Sequence, residues 1–462
     1  MGIYNALFTG SSGLSAFGEA VRVVGDNIAN VNSLGFKSQN VVFSDVLSQT
    51  VGVTRSNIAN QVGNGVRIGQ ITRDSQQGSI QNTTNPTDMA INGKGMFALK
   101  DPASGQTSYT RAGAFFLDKN SNLIDGQGFV VQGWGLDSAT QQAVGNVKDI
   151  TFSNLAAQAS PTTIINVGVS LDSNATPIVG SVSGAQGNFD PASPTTYNYK
   201  TQVNVFDSLG QQHSVNTYYV KTAANQWNWY AGVDGGEITT GSADAFGATT
   251  AAGTAGTTFI GAQGTLSYDT AGALNSETLV GASNFPWGSA VASTLGFNFG
   301  DAITTDAQGS LTIGTPQVGT GLNGTIQMAG SFATREMKTD GFAAGFLDKL
   351  ETDSTGRIFG SFTNGQRRGL FQVALANFPN PSVLSHIGNN LQQETIASGS
   401  PVLEKPSNGG MGSITPFGLE QSNVDLAGEF VKLIVIQRGY QANSKTITTT
   451  DQMLSSLMQI KR

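Results

Sequence analysis

The chain has no cysteine among its 462 residues and only two histidines, His213 and His386. Without a thiol there is no disulfide framework, no cysteine-ligated zinc site and no cysteine nucleophile. The histidines are far apart in sequence, so metal or triad chemistry would depend almost wholly on carboxylates. No pair of carboxylates stands out, and an enzyme is therefore the weakest functional alternative. We expect no catalytic residues, no metal site and no cofactor.

Charge and long apolar runs are also scarce. Charged residues make up 12% of the chain, where an average protein has about 25%. The formal net charge is −7 and no basic stripe is present, which argues against nucleic acid as a partner. No apolar run approaches the length of a transmembrane helix, so we expect no membrane insertion. The first residues do not form a cleaved secretory signal, and export from the cell would need another route.

What the sequence does have is glycine, with 59 residues, and a 38% apolar fraction. This composition is typical of short strands joined by many turns. The length suggests about three domains. The two ends, in contrast, have helical patterns. The predicted fold class is therefore mainly β with α-helical termini: coiled-coil-like helices that carry antiparallel β domains.

The helical pattern at each end forms a seam of alternating three- and four-residue steps. In residues 3–31 the seam consists of Ile3, Leu7, Leu14, Phe17, Val21, Val24, Ile28 and Val31, with Gly10 at the remaining position. In residues 424–458 its apolar members are Leu426, Phe430, Leu433, Tyr440, Ile447, Leu454 and Met458. A seam of this kind faces another helix, so these residues are the candidates for self-assembly.

The first helix is weak in isolation because it contains Gly10, Gly13, Gly18 and Gly25. Each glycine costs about 1 kcal/mol relative to alanine in a helix. We therefore predict that both ends are disordered in the free chain and become helical when partners cover them. The alternative is a helical hairpin within one chain.

Between the helices the pattern changes to strands. We predict a terminal helical domain at 1–31 and 424–462, an extended connector at 32–70, a first β domain at 71–145 and 335–423, and an inserted outer β domain at 146–334, which may be one domain or two. Expected local features are a hairpin at Asn92-Gly93, a meander over 108–134, and a turn at 353–356 between two strands. Strands are also expected at 203–210, 215–221 and 226–231, whereas the Gly, Ala and Thr-rich residues 234–265 indicate surface loops or edge hairpins.

Three smaller patterns have two interpretations each. Asp118, Asn120 and Asn122 have the spacing of a calcium loop, but a plain β-turn is favoured because the required glycine and glutamate are missing. The aromatic residues Tyr218, Trp227, Trp229 and Tyr230 suit a sugar-stacking platform, although a buried core is favoured. Arg367 and Arg368 fit an interface anchor or a solvated turn.

Short motifs near both ends resemble a known family. The first motif consists of Ala29, Asn30, Val31, Asn32, Ser33, Leu34, Gly35, Phe36 and Lys37, and it resembles the N-terminal signature of the axial proteins of the bacterial flagellum, the rod and hook subunits. The second begins with Asn423, Val424 and Asp425, continues over 437–444, and resembles the matching C-terminal signature. The Asn-Gly-x-Gly-x-Phe stretch at 92–97 and the Arg-Ala-Gly stretch at 111–113 are also similar to the family, whereas Ala114 departs from its expected asparagine.

The resemblance implies an extracellular structural protein of the bacterial flagellum that self-assembles into a homo-polymer. Terminal helices would form the inner core of a tube, with the β domains outside. The length and the inserted domain favour a hook-type subunit, which forms a curved, flexible tube that couples rod to filament and passes exported subunits. The implied partners are the rod, the hook cap, the hook-length control and hook-filament junction proteins, and the type III export apparatus. A distal rod subunit is the nearest alternative, and a secreted β-rich adhesin is a more remote one.

The C-terminal seam also contains polar residues at seven-residue intervals, Gln437, Ser444 and Asp451. A dry seam would not tolerate them. Our hypothesis is that this strip faces the wet lumen of the tube while Leu433, Tyr440, Ile447 and Leu454 face neighbouring subunits.

Overall fold

The structure is a computed structural model that describes residues 2–53, 59–137, 140–153, 155–180, 187–249, 251–281, 283–304 and 319–460. The chain divides into two compact units. Unit 1 comprises Met1–Leu155, Asp348–Ser361 and Arg367–Arg462, and unit 2 comprises Ala156–Leu347 and Phe362–Gln366. The nested layers predicted from the sequence, with 146–334 outermost in a polymer, remain a prediction.

The expected fold class is confirmed, because strands separate two long terminal helices, α1 (Gly2–Ala29) and α2 (Leu426–Ile460). The first twelve strands are β1 (Gln39–Asp45), β2 (Gln49–Val53), β3 (Ala59–Val62), β4 (Val66–Arg73), β5 (Ile80–Asn82), β6 (Met89–Asn92), β7 (Met96–Lys100), β8 (Thr107–Thr110), β9 (Phe116–Leu117), β10 (Leu123–Ile124), β11 (Val130–Leu136) and β12 (Ala143–Asp149). The next ten are β13 (Ala156–Ala157), β14 (Ile164–Asp172), β15 (Tyr199–Phe206), β16 (Gln212–Ala223), β17 (Gln226–Asp234), β18 (Thr258–Tyr268), β19 (Leu274–Leu279), β20 (Gly296–Asn298), β21 (Ile326–Met328) and β22 (Ala333–Thr339). The last nine are β23 (Gly345–Thr352), β24 (Arg357–Phe362), β25 (Arg367–Val373), β26 (Leu375–Asn377), β27 (Ser385–Gly388), β28 (Leu391–Gln393), β29 (Val402–Glu404), β30 (Ser413–Pro416) and β31 (Gly418–Glu420).

In unit 1 the strands around β11 and β7 form an antiparallel sheet. Strand β11 pairs with β7, β10, β12 and β25, and β7 also pairs with β8 and β26. Two small antiparallel pairs, β5 with β31 and β6 with β30, join residues from the two halves of the unit. Its apolar core includes Tyr109 and Phe378, whose rings meet edge to face with centroids 4.8 Å apart.

The predicted connector at 32–70 contains strands. Strand β1 pairs with β4, and β2 pairs with β3, both antiparallel. The β1–β4 pair lies against the N-terminal helix, where the Phe17 and Phe43 rings are 5.3 Å apart. Strands β1 and β4 of the connector therefore pack on α1.

The expected hairpin at Asn92-Gly93 is wrong. Strand β6 pairs with β30, whereas β7 pairs with other strands. Gly93 has a φ of 114°, and a Cβ there would lie 3.0 Å from the Gly412 Cα. At this glycine the chain passes from one sheet into another. The expected meander holds for β9, β10 and β11, but β8 pairs with β7 and β28 instead. The turn at 353–356 between β23 and β24 is confirmed.

Unit 2 is built on the antiparallel sheet β15-β16-β17-β18-β19, with β14 pairing with β20, β21 and β22 in a second sheet. Consecutive side chains of a strand point to opposite faces. Trp227 and Trp229 accordingly belong to one core cluster, and Tyr218 and Tyr230 to another on the other face. All four side chains are buried, which confirms the core interpretation over the sugar-stacking platform.

The loop interpretation of residues 234–265 is wrong for its last part, because β18 is an inner strand of that sheet. Two of its glycines explain the error. A Cβ at Gly261 would lie 2.4 Å from the Phe285 ring, and one at Gly264 would lie 2.5 Å from the Trp229 indole nitrogen. The strand is rich in small residues because large rings pack directly on its backbone, and composition alone made it look like a loop.

Candidate assembly site

The two terminal helices pack against each other antiparallel within one chain. A Cβ at Gly10 would lie 2.9 Å from Ile447, and one at Gly439 would lie 2.8 Å from the Phe17 ring. The structure therefore takes the hairpin alternative rather than disordered ends. Gly10 and Gly13, two of the four glycines that weaken α1 in isolation, also allow this close contact, which explains how a poor helix is stabilised by packing.

The buried stripe of α1 consists of Gly10, Gly13, Ala16, Ala20, Val23, Val24 and Asn27. It is displaced by one residue from most of the predicted seam. Among the predicted residues Val24 is buried, whereas Leu7, Leu14, Phe17, Val21 and Ile28 are half-buried; the side chain of Ile3 lies outside the described residues. Small side chains face α2 because only they let the two backbones approach, and the larger ones are left at the flanks.

The predicted seam of α2 is divided between two surfaces. Leu433, Ile447 and Leu454 are half-buried, whereas Leu426, Phe430, Tyr440 and Met458 remain exposed by 40, 50, 41 and 76%. Ile447 lies against Gly10 of α1 in its own chain, and the expectation that it faces neighbouring subunits remains a prediction. Of the polar positions, Gln437 and Asp451 are exposed and Ser444 is half-buried.

A second apolar surface of α2 is left partly exposed by the described part of the chain. It is the exposed stripe, defined by Phe430, Val431, Ile434 and Val435, whose side chains are 50 to 62% exposed. Val431 and Val435 also line a groove of about 310 Å³ together with Val23 of α1 and Phe43 of β1. Adjacent exposed apolar side chains on a helix are a candidate interaction site.

Asn27 holds the helix pair to the first strand. Its side chain is fully buried, and its Oδ1 accepts from the Gln39 backbone N–H at 2.8 Å while its Nδ2 donates to the Gln39 carbonyl at 2.8 Å. The same Nδ2 donates to Glu429 Oε2 at 3.1 Å. Lys432 Nζ donates to Glu429 Oε1 at 2.7 Å and to Asn40 Oδ1 at 2.8 Å, so α1, α2 and β1 meet at one polar network.

Replacing Asn27 with alanine should destabilise unit 1 by about 2 kcal/mol, because buried partners at Gln39 and Glu429 lose their hydrogen bonds. Denaturant unfolding monitored by circular dichroism measures this loss. Asn30→Ala is a suitable control, since Asn30 bonds mainly to Asp26 of its own helix end. An equal loss in both variants would contradict a bridging role for Asn27.

The N-terminal family motif forms the turn after α1. Ala29 ends the helix, Asn30 caps it through Asp26, Val31 is half-buried and Asn32 is exposed. Gly35 has a φ of 67° and its N–H donates to the Glu420 carbonyl at 2.8 Å. Phe36 is buried beside it.

Lys37 ends the motif in a buried ion cluster with Glu420 and Arg111. Lys37 Nζ lies 2.6 Å from Glu420 Oε1, and Arg111 Nη1 lies 3.1 Å from Glu420 Oε2. Lys37 also donates to the Gln76 carbonyl at 2.6 Å, and Arg111 to the Gly93 carbonyl at 2.7 Å. Burial lowers the pKa of Lys37, although the Glu420 carboxylate acts in the opposite direction. The cluster joins segments from both ends of the chain.

The C-terminal motif continues this junction. Asn423 Oδ1 accepts from the Ser38 N–H at 2.8 Å, and Val424 is half-buried. The Asp425 carboxylate accepts from the Ala427 and Gly428 N–H groups at 3.1 and 3.3 Å. Asp425 is therefore the N-cap of α2, which places an acidic group at the positive end of the helix dipole. The two family motifs, nearly 400 residues apart in sequence, meet at one site.

Sequence reasoning missed Asn27, Glu420 and Glu429, and it placed Arg111 in a family-like stretch without assigning it a role at this site. A charged residue within a weakly charged segment is the only local signal for Glu420. The burial of these residues depends on contacts with distant segments, which no local pattern reports.

Other candidate sites have structural roles. The Asp118 carboxylate accepts from the Asn120 and Asn122 N–H groups, both at 2.8 Å, and these bonds, foremost those of Asn122, lower the pKa of Asp118. Arg367 pairs with Glu351 at 3.2 Å and stacks on the Phe359 ring.

Among the described residues no group of acidic, histidine or cysteine side chains is arranged to hold a metal ion. Neither described helix has the length and hydropathy needed to cross a membrane.

In unit 2, His213 lies between two carboxylates. Its Nδ1 is 2.6 Å from Glu237 Oε2 and its Nε2 is 3.3 Å from Asp207 Oδ2, and the ring stacks on Trp287. Burial acts to raise the pKa of Asp207, but hydrogen bonds from Gln211 and His213 outweigh it and the pKa is lowered. Both ring nitrogens are engaged, so this histidine has a structural role.

Four family models match the chain. They are described as Flagella basal body rod protein (residues 7–37), Flagellar hook protein FlgE/F/G D1 domain (90–178), Flagellar basal body protein FlaE D2 domain (170–342) and Flagellar basal body rod FlgEFG protein C-terminal (418–460). The first and last of these include the two motifs that meet at the junction.

Relatives match over nearly the whole chain. The flagellar hook protein FlgE of Salmonella typhimurium is 34% identical over 97% of this chain and 98% of its own length. The flagellar hook protein FlgE of Treponema pallidum is 32% identical over 99% of both chains. Among solved structures, the flagellar hook protein FlgE2 of Helicobacter pylori has a TM-score of 0.45 and 13% identity, covering 74% of this chain and 99% of that one.

Proposed function

Since the chain belongs to the flagellar hook protein family, we propose that it is a structural subunit of the bacterial flagellar hook. Many copies assemble into the curved, flexible and hollow tube that couples rod to filament. The protein is then extracellular, in the hook attached to the basal body. The similarity to hook proteins over nearly the full length carries this proposal and favours it over the rod subunit and the adhesin. A structural role of this kind needs no catalytic residues.

The exposed stripe supports self-assembly. Four adjacent apolar side chains of α2 face solvent in the single chain, and a polymer contact would remove them from water. The half-buried seam residues Leu7, Leu14 and Phe17 flank the same helix pair. We propose that the terminal helices pack with those of other copies in the inner wall, and that Gln437, Ser444 and Asp451 line the lumen.

The specific partners follow from the position of a hook. We propose contacts with the rod at one end and with the hook-filament junction proteins at the other, with the hook cap and the hook-length control protein during growth. Delivery through the type III export apparatus fits a chain without cysteine whose terminal helices are stabilised mainly by packing.

Electron microscopy tests where the protein is located on the cell. Surface appendages sheared from the source cell are labelled with antibody against residues 146–334. Label on a short curved segment between filament and envelope is the expected result. Label confined to a straight shaft would indicate a rod subunit, and label scattered over the cell surface would indicate an adhesin.

The double variant Phe430→Ser and Ile434→Ser should weaken assembly strongly while the single chain still folds. Each side chain is about half exposed in the chain, so folding loses little, whereas burial in the polymer would be lost. At about 1.5 kcal/mol per side chain, the critical concentration for assembly should rise about a hundredfold. Sedimentation of purified protein measures it. Val144→Ser is the control, because Val144 is equally exposed but lies on β12; equal loss there would contradict a specific role of the stripe.

A further inference from the structure

A basic pocket of about 590 Å³ lies in unit 1, beside the junction of the two family motifs. Four cationic side chains line it: Lys37, Arg73, Lys94 and Arg111. One carboxylate, Asp74, also lines it, and Glu420 lies behind Lys37 and Arg111. The pocket therefore has an excess of positive charge in a chain whose net charge is −7.

The cations of the pocket are not equivalent. Lys37 and Arg111 are already bonded to Glu420 and to backbone carbonyls. Arg73 has no ion pair with any described residue, and its Nη1 is buried without a hydrogen-bond partner. Lys94 is exposed at the rim and is likewise unpaired within the described part of the chain. A buried guanidinium nitrogen without an acceptor is destabilising, so the site favours an anionic acceptor at Arg73.

The charge of Arg73 also acts on a neighbour. Burial is the main cause that lowers the pKa of His386, and the positive charge of Arg73 is the second. The Leu391 carbonyl and Asp26 act in the opposite direction without reversing the shift. The positive charge of Arg73 therefore acts on the imidazole of His386.

We propose that this pocket binds a carboxylate side chain from a second copy of the chain, held by Arg73 and Lys94. The inference rests on the proposed function, which brings copies into contact. Each copy has 31 acidic residues against 24 basic ones, so a neighbour presents mainly carboxylates. Met96, Phe378 and Pro379 form an apolar wall of the pocket that suits the methylene groups beside such a carboxylate. In a helical polymer, different patches of neighbouring copies meet, so pocket and acidic side chain need not lie on the same surface.

Two variants test the contact in the polymer. Arg73→Gln and Lys94→Gln should each raise the critical concentration for assembly about tenfold, as loss of a hydrogen bond between charged groups predicts. Arg67→Gln on the same strand and Lys119→Gln in an exposed turn are matched controls, with the same loss of charge outside the pocket. Lys94 is exposed, so its variant remains informative even where Arg73→Gln weakens the fold.

The free chain gives an independent readout, because it has only two histidines. Succinate serves as the carboxylate probe, compared with sodium chloride at equal ionic strength. Bound at Arg73, it should raise the pKa of His386, followed by NMR, and leave His213 unchanged as the internal control. Succinate should also inhibit assembly of the unchanged chain and have less effect on Arg73→Gln.

The outcomes separate the possibilities. Assembly of both pocket variants at the same critical concentration as their controls would overturn the proposal. If succinate then still shifts His386, the pocket takes a small free carboxylate rather than a second copy. Failure of the unchanged chain to assemble would contradict the proposed function itself, and with it this contact.

Discussion

Replacing Glu420 with glutamine should lower the free energy of unfolding of unit 1 by about 3–5 kcal/mol, because the change leaves two buried cations without their shared carboxylate. Glutamine keeps the shape of the side chain, so the loss reports on charge rather than on packing. Lys37 and Arg111 would then face each other across a neutral amide in a site where Glu420 is 1% exposed. Denaturant unfolding followed by circular dichroism measures the effect.

The pH dependence of this variant has a definite sign. Burial already lowers the pKa of Lys37 from 10.5, and removal of the Glu420 charge should lower it further. Below the folded-state pKa the lysine is charged in both states and the penalty is fully present. As the pH rises towards 10.5 the folded variant releases its proton before the unfolded chain does, so its stability relative to the unchanged protein should recover.

Glu351→Gln is the matched control, because it makes the same chemical change at an exposed ion pair with Arg367. Exposed pairs contribute about 0–1 kcal/mol, so the control should have little effect. A loss at Glu420 no larger than the loss at Glu351 would show that the buried cluster does not hold the two ends of the chain together.

Replacing Gly35 with alanine should destabilise unit 1 by about 3–4 kcal/mol. The φ of 67° is strained for any residue with a Cβ, and the Cβ would lie 2.7 Å from the Ala112 backbone N and 2.8 Å from the Arg111 carbonyl carbon. Backbone atoms cannot move aside as the end of a flexible side chain can. The turn would shift and displace Lys37 from Glu420.

Gly25→Ala makes the same substitution where it should have the opposite effect. Gly25 lies within α1, and a Cβ there would have no atom within 4 Å. Alanine should stabilise the helix by about 0.5–1 kcal/mol. Thermal unfolding of the two variants, measured side by side, shows whether each substitution lowers or raises stability. Destabilisation of equal size in both would contradict the role assigned to the Gly35 turn.

The terminal helices and most strands were predictable because their periodicity is local. Alternating three- and four-residue steps indicate α1 and α2 whatever they pack against. The face that each helix buries was harder to predict from the sequence. Large apolar residues such as Leu14 and Phe17 suggested the seam, whereas the buried stripe is made of Gly10, Gly13 and Ala20, because close approach of two backbones favours small side chains.

Strand partners were predicted less well than strands. Asn92-Gly93 has the composition of a hairpin turn, but β6 and β7 pair with strands from other parts of the chain. Strand β18 looked like a loop because Gly261 and Gly264 accommodate rings from distant residues. In both cases the structure depends on contacts with segments that are distant in sequence, which local sequence patterns do not report.

Local sequence patterns are enough to establish the class of the protein: helical ends, β domains between them, no thiol chemistry and two terminal motifs similar to those of flagellar axial proteins. The three-dimensional contacts reveal that the motifs meet at the cluster of Lys37, Arg111 and Glu420, and that Arg73 beside it has no ion pair among the described residues. The difference arises because the two kinds of interaction act over different distances along the chain. Periodicity and turn chemistry act over a few residues, whereas burial of a charge depends on which distant segments surround it.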